Sequence, residues 1–260
     1  SIRRQRQMCI RDSASTDAHR SWTISDEAPK YDPEDVIVPP YMVETAVTRE
    51  DLTGYYHEVS RFDHFIGLVT AELKKQGVLE NTMIVVAADN GRPFPRCKSR
   101  MYNSGIKTPW VVHYPKAIKK PSVTQSLISV IDLSATCLEL AGVKRPAFIQ
   151  GRSFMPILKD PKAQVREVVF AEHNWHVYKN HERMVRFGNY LYIRNNFTDQ
   201  KLPNILLGQV FRTILRGQVS RTILRGQVFR TVLRGQVFCT VLRGVTHVEG
   251  SLCQGGEQGG

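Results

Sequence analysis

Asp89-Asn90-Gly91 sets one carboxylate beside one amide carbonyl, hard oxygen donors that suit Ca²⁺ or Mg²⁺ better than a soft metal. The next nine residues hold four cations, Arg92, Arg96, Lys98 and Arg100, and no acid. A loop of that kind repels itself unless an anion sits among its charges. Each feature has a plainer reading when taken alone: Asp-Asn-Gly is a common turn, and a basic loop is often a solvated one. Together they suit an oxyanion held between a metal and fixed cations. His173 and His176, in AEHNWHVY, could face the same substrate, but histidines near strand ends are more often structural and they are left outside the site.

The elements that must position these residues alternate. Thr48 followed by Asp51 predicts a helix start, after which Leu52, Tyr55, Val59, Phe62, Ile66, Val69 and Leu73 recur at steps of three and four until Gly77. Thr82 to Ala88 is a short apolar run rich in β-branched residues, as in a strand buried on both faces of a parallel sheet. Asp89 and Asn90 stand at its C-terminal end, where α/β sheets bind ligands. Trp110 to Tyr114 predicts a second strand, and Asp132 is expected to cap a helix running to Gly142. Beyond Gly151, Val165 to Ala171, Arg183 to Phe187 and Tyr190 to Arg194 read as strands, the last two joined by a hairpin at Gly188-Asn189. The pattern is an α/β fold followed by a small antiparallel subdomain.

Val85 to Pro115, VVAADNGRPFPRCKSRMYNSGIKTPWVVHYP, resembles the sulfatase segment in which a strand delivers an Asp-Asn metal pair. The Arg-Pro-Phe-Pro wording is most similar to the heparan N-sulfatase (sulfamidase) branch and its bacterial relatives. Gly151 to Pro156, GRSFMP, looks like the family's Gly-Arg-Ser segment, and His181 to Asn195 resembles its C-terminal hairpin. Asp17 to Arg20 resembles an Asp-Pro-His-Arg stretch, with Ala18 in place of the proline. The resemblance implies part of an alkaline-phosphatase-like mixed or parallel sheet with flanking helices. It places Asp89 and Asn90 on metal ligands (Ca²⁺ or Mg²⁺), Lys98 on the sulfate-binding cation, Arg92 near the anion and His19 in the active site. The implied substrates are sulfated sugars or other sulfate esters and sulfamates.

In that family a hydrated formylglycine, made from Cys or Ser in a Cys/Ser-x-Pro-x-Arg stretch, attacks sulfur. No such stretch occurs in these 260 residues, and the family's paired Asp ligands are also missing. The expectation is a sulfatase-type hydrolase in fragment form, with no turnover of its own and, its sheet having lost strands, a tendency to aggregate. The competing readings are a phosphodiesterase or phosphatase of the same superfamily and a noncatalytic protein that binds sulfated glycans.

The formal charge of +12 sits mostly at the ends: Asn204 to Gly260 has seven Arg against two Glu, and Ser1 to Ala14 four Arg against one Asp. With no aromatic-interleaved basic stripe, specific nucleic-acid binding is not expected. Five cysteines without a CxxC spacing indicate neither a zinc site nor a disulfide framework. No apolar run is long enough to span a membrane. The oligomeric state and the compartment are left open, although members of the resembled family are often exported. The chain opens on Ser1, so a lost N-terminus is expected. Residues 1–14 read as a leader outside the fold, 15–160 as the α/β domain and 161–203 as the antiparallel subdomain. Residues 204–260 read as a disordered, self-adhesive tail built on the near-identical repeats GQVFRTILR, GQVSRTILR, GQVFRTVLR and GQVFCTVLR.

Overall fold

The structure, a computed structural model, describes residues 8–176, 179–197 and 237–244. The longest element is helix α1, Ala46–Lys75. It starts three residues before the predicted signal, because Thr45 is the residue whose side chain accepts from the Thr48 N–H, at 3.2 Å. Asp51 is inside the helix, where its carboxylate takes Arg20 in a two-point ion pair and Trp22 Nε1 at 2.7 Å. Of the predicted apolar stripe, Leu52, Phe62 and Leu73 are buried, whereas Val59 is 42% exposed. The buried face instead includes His57 and Glu58, which clamp the incoming chain. The Ser25 N–H donates to His57 Nε2 at 3.0 Å, His57 Nδ1 donates to the Pro29 carbonyl at 3.1 Å, and the Thr23 N–H donates to Glu58 Oε1 at 2.6 Å.

Strand β2, Thr82–Ala88, matches its expected bounds and is covered on both faces. Ile84 packs with Phe62, Leu73 and Val78 on the α1 side. Met83 and Val85 pack on the other side against Trp110, Leu133, Cys137, Leu140 and Leu158. These residues bring in β3 (Trp110–His113), α3 (Asp132–Leu140) and α4 (Met155–Lys159). Each apolar side chain buried there contributes about 1.5–3 kcal/mol. Helices on both faces of a sheet give the expected α/β class.

The pairing within the sheet departs from expectation. Strand order is β1-β7-β2-β3, with β1 Met8–Ser15 and β7 Val237–Gly244, and every pairing among these described strands is antiparallel rather than parallel. Residues assigned to a leader and to a disordered tail therefore join the sheet. The physical cause is β2 itself: β3 satisfies one edge, its other edge offers a row of N–H and C=O groups, and the β-prone repeat fills that row. The remainder of the tail, 204–236 and 245–260, lies outside the described residues.

Asp132 also differs from its expected role. It is the first residue of α3 rather than its cap and is fully buried. Its carboxylate accepts from the Ser129 N–H at 2.8 Å, the Arg152 N–H at 2.7 Å and Arg166 Nε at 2.7 Å. Burial alone would raise its pKa, but Arg166 and the two backbone donors outweigh that and hold it below the usual aspartate value. The Gly151 to Pro156 segment is thus anchored to the start of α3, and Thr136 Oγ1 accepts from the Phe154 N–H at 3.1 Å.

A second sheet, in the order β4-β5-β6, is antiparallel as expected. Its strands are Val168–Trp175, Lys179–Phe187 and Tyr190–Asn195, with Gly188-Asn189 turning between paired Phe187 and Tyr190.

Candidate oxyanion site

The site is a tight loop hung from the end of β2. Gly91 N donates to the Gly105 carbonyl at 2.9 Å, closing a ring that runs through Arg92, Lys98 and the short helix α2, Asn103–Ile106. Inside the ring the Phe94 and Lys98 N–H groups both donate to the Arg92 carbonyl, at 2.8 and 3.1 Å. The closure requires glycine at two points. A Cβ on Gly91 would stand 2.1 Å from the Ser104 carbonyl oxygen, and one on Gly105 would stand 2.1 Å from that of Arg100.

The four cations of the loop do not crowd one another. Arg92 Nη2 donates to Tyr41 Oη at 2.8 Å. Arg96, with left-handed φ 63°, lays its guanidinium over Tyr102 at 4.5 Å and Tyr41 at 5.6 Å. Arg100 pairs with Glu182 of β5, which is buried, while the Arg100 side chain is 11% exposed. Lys98 differs from these three: it is 3% exposed and lies within the electrostatic reach of Asp89. Burial lowers its pKa, and the Asp89 carboxylate opposes that shift only in part. Self-repulsion across the loop is thus relieved in part within the chain, by Tyr41, Tyr102 and Glu182.

Asp89 and Asn90 stand where the strand ends, and Asn90 Nδ2 donates to the Gly91 carbonyl at 2.9 Å, leaving Oδ1 as the oxygen donor. One carboxylate and one amide oxygen, three donor atoms at most, fall short of the roughly six to eight that Ca²⁺ takes. Among the described residues no group of three or more His, Cys, Asp or Glu side chains could hold a metal ion. The residues present therefore do not fit a complete metal site.

His19 reaches this region through its neighbour. Arg20 Nε donates to the Pro93 carbonyl at 3.2 Å, and its guanidinium lies over Trp22 at 4.8 Å and Phe94 at 4.9 Å. His19 Nδ1 donates to the Arg20 carbonyl at 2.6 Å. Ala18 has φ 65°, a left-handed value that the ring of a proline forbids, and its N–H also bonds to Glu58. The departure from Asp-Pro-His-Arg is built into the backbone here.

Sequence reasoning missed Tyr41, which touches Arg92, Arg96 and Cys97, and the Arg100–Glu182 pair that docks the second sheet on the loop. Neither has a local sequence signal, since the partners are 51 and 82 positions apart.

The sulfatase family model matches residues 11–143, and the model for the C-terminal part of N-sulphoglucosamine sulphohydrolase matches residues 97–197. The chain belongs to the sulfatase family. It is 31% identical over 176 residues to an ulvan-active sulfatase of Formosa agariphila, covering 67% of this chain and 29% of that one. It is 35% identical over 139 residues to the N-sulphoglucosamine sulphohydrolase of Homo sapiens, covering 50% and 28%. An N-acetylglucosamine-6-O-sulfatase of Bacteroides thetaiotaomicron is 36% identical over 113 residues, covering 42% and 20%. The sulfatase chain thus spans less than a third of the length of each of these relatives. Among solved structures, BT4656 in complex with its substrate D-glucosamine-2-N,6-O-disulfate aligns over 68% of this chain and 42% of its own, at 22% identity and TM-score 0.47.

Proposed function

We propose that this chain supplies the sulfate-holding part of a hydrolase acting on sulfate esters or sulfamates of sugars. The observation that carries the reading is the burial of Lys98 beside Asp89, at a strand end inside the sulfatase match. A buried ammonium is costly unless it meets negative charge, and a sulfate oxygen held there would be neutralised in a site of low dielectric. His19, whose neighbour Arg20 bonds to the Pro93 carbonyl of the loop, is the residue proposed to bind the sulfate or assist proton transfer. Arg92, held by Tyr41, lines the same loop and adds positive potential without being free to move far. Asp89 and Asn90 would offer a carboxylate and an amide oxygen to a hard cation, Ca²⁺ or Mg²⁺, and among the described residues no group of three or more His, Cys, Asp or Glu side chains completes the set.

The 260 residues contain no Cys/Ser-x-Pro-x-Arg sequence for a formylglycine. The chemistry proposed for this chain is therefore to bind and orient the sulfated sugar, and its own turnover is expected to be nil. The test is incubation of the purified chain with 4-nitrophenyl sulfate and Ca²⁺, alongside titration with sulfate and phosphate monoesters of one sugar. No nitrophenol release and tighter binding of the sulfate ester are expected. Metal-dependent turnover would contradict the assignment of a binding role alone, and tighter phosphate binding would favour a phosphatase of the same superfamily.

A further inference from the structure

His176 is a buried side chain whose hydrogen-bonding groups are unused: it is 9% exposed, and neither Nδ1 nor Nε2 has a partner among the described residues. Evolution rarely leaves a buried ring in that state without a use, because an unpaired polar group costs stability. His173, three residues earlier and within β4, shows the structural alternative. Its Nδ1 accepts from Asn180 Nδ2 at 2.8 Å, and that amide is fixed in turn by accepting from the His181 N–H at 2.9 Å.

The position of His176 follows from how the hairpin docks. Glu182 lies opposite His173 in the β4–β5 register and makes the ion pair with Arg100 of the cationic loop. Three residues beyond that rung, His176 comes within the electrostatic reach of Lys98. Burial first, then the Lys98 ammonium and His173, take its pKa down to about 4. At neutral pH the ring is uncharged, with one nitrogen donating and the other accepting.

We infer that His176 reads the sugar: it hydrogen-bonds the hydroxyl or N–H group next to the sulfate held at Lys98, and so selects which sulfated sugar the site accepts. This deepens the proposed function and rests on the sulfate reading of Lys98. Two buried nitrogens without a partner among the described residues, within the electrostatic reach of a buried cation, suit a neutral polar ligand group that arrives together with an anion. They do not suit a second metal ion, which Lys98 would repel.

The probes are N-sulphoglucosamine and inorganic sulfate, titrated by calorimetry into the 260-residue chain. The wild type is expected to bind the sugar at least tenfold more tightly than the free ion. His176→Phe is expected to shrink that ratio at least fivefold, to leave inorganic sulfate within about twofold, and to keep or raise the melting temperature, since an apolar ring replaces two unpaired nitrogens. His176→Gln, which retains a donor and an acceptor, is expected to recover part of the ratio, and Lys98→Ala to weaken both probes. An unchanged ratio in a folded His176→Phe chain overturns the inference while leaving the Lys98 reading intact. A His176→Phe chain that melts markedly lower shows a structural imidazole and also overturns it. Failure of the wild type to bind either probe removes both.

Discussion

At the scale of single residues, the site separates one cation from three. Arg92, Arg96 and Arg100 are engaged by Tyr41, by the Tyr102 ring and by Glu182, whereas Lys98 is buried beside the strand-end carboxylate. Because burial depresses its pKa, Lys98 gives up its proton at lower pH than an exposed lysine. Sulfate affinity should therefore fall on raising the pH before the ordinary lysine value of about 10.4 is reached, a trend that titrations at several pH values would follow. Ala18 offers a second test. Its left-handed backbone should be relieved by Ala18→Gly, with a gain of about 1 kcal/mol in denaturant unfolding. Ala18→Pro should instead destabilise by more than that, since it forbids the φ and removes the N–H that meets Glu58. Asp89, Asn90 and Lys98 could be singled out in sequence because strand, turn and cation are contiguous, and the structure sets them at the end of β2 and in the loop beyond it. The division of labour among the cations was not legible there, since Arg92 and Arg100 are answered by residues 51 and 82 positions away.

At the scale of elements, β2, α3 and the Gly188-Asn189 hairpin were all visible in sequence as an apolar run, a helical period and a turn pair. What periodicity could not show was where polar residues take over the packing. His57 and Glu58 lie on the buried face of α1, and Asp132 collects Ser129, Arg152 and Arg166 in place of capping. Asp132→Asn should cost about 3 kcal/mol, because it leaves the Arg166 guanidinium without its charge partner. The sign with pH follows from the lowered pKa: the contribution is present above the unfolded aspartate value of about 3.9 and is lost as the pH falls through the folded value. Acid unfolding of the wild type should then show a steeper limb than that of Asp132→Asn. Gly105→Ala should cost about 1–3 kcal/mol and displace the Lys98 loop, since the added Cβ meets backbone carbonyls on two sides. A Gly105→Ala chain with unchanged unfolding and sulfate affinity would mean that the ring of hydrogen bonds around Lys98 is not what positions it.

Across the whole molecule, the open edge of β2 governs the assembly. A segment of the repeat tail enters the sheet as β7, with Val241 set between Arg11 of β1 and Ile84 of β2. Composition and near-identity of the repeats pointed to a chain outside the fold; strand propensity and an unfilled edge won at residues 237–244. Val241→Pro removes an N–H from the middle of that sheet. It should lower the melting temperature and drive the chain to oligomers on size exclusion with light scattering, whereas a monomer of unchanged stability would show that β7 contributes nothing. The scaffold holds the Lys98 loop at the end of β2. The most direct test of its role is calorimetric titration of N-sulphoglucosamine into the wild type and Lys98→Ala. The account predicts measurable, salt-sensitive binding that weakens at least tenfold in the variant, about 1.4 kcal/mol; equal affinities in two equally folded chains would contradict it.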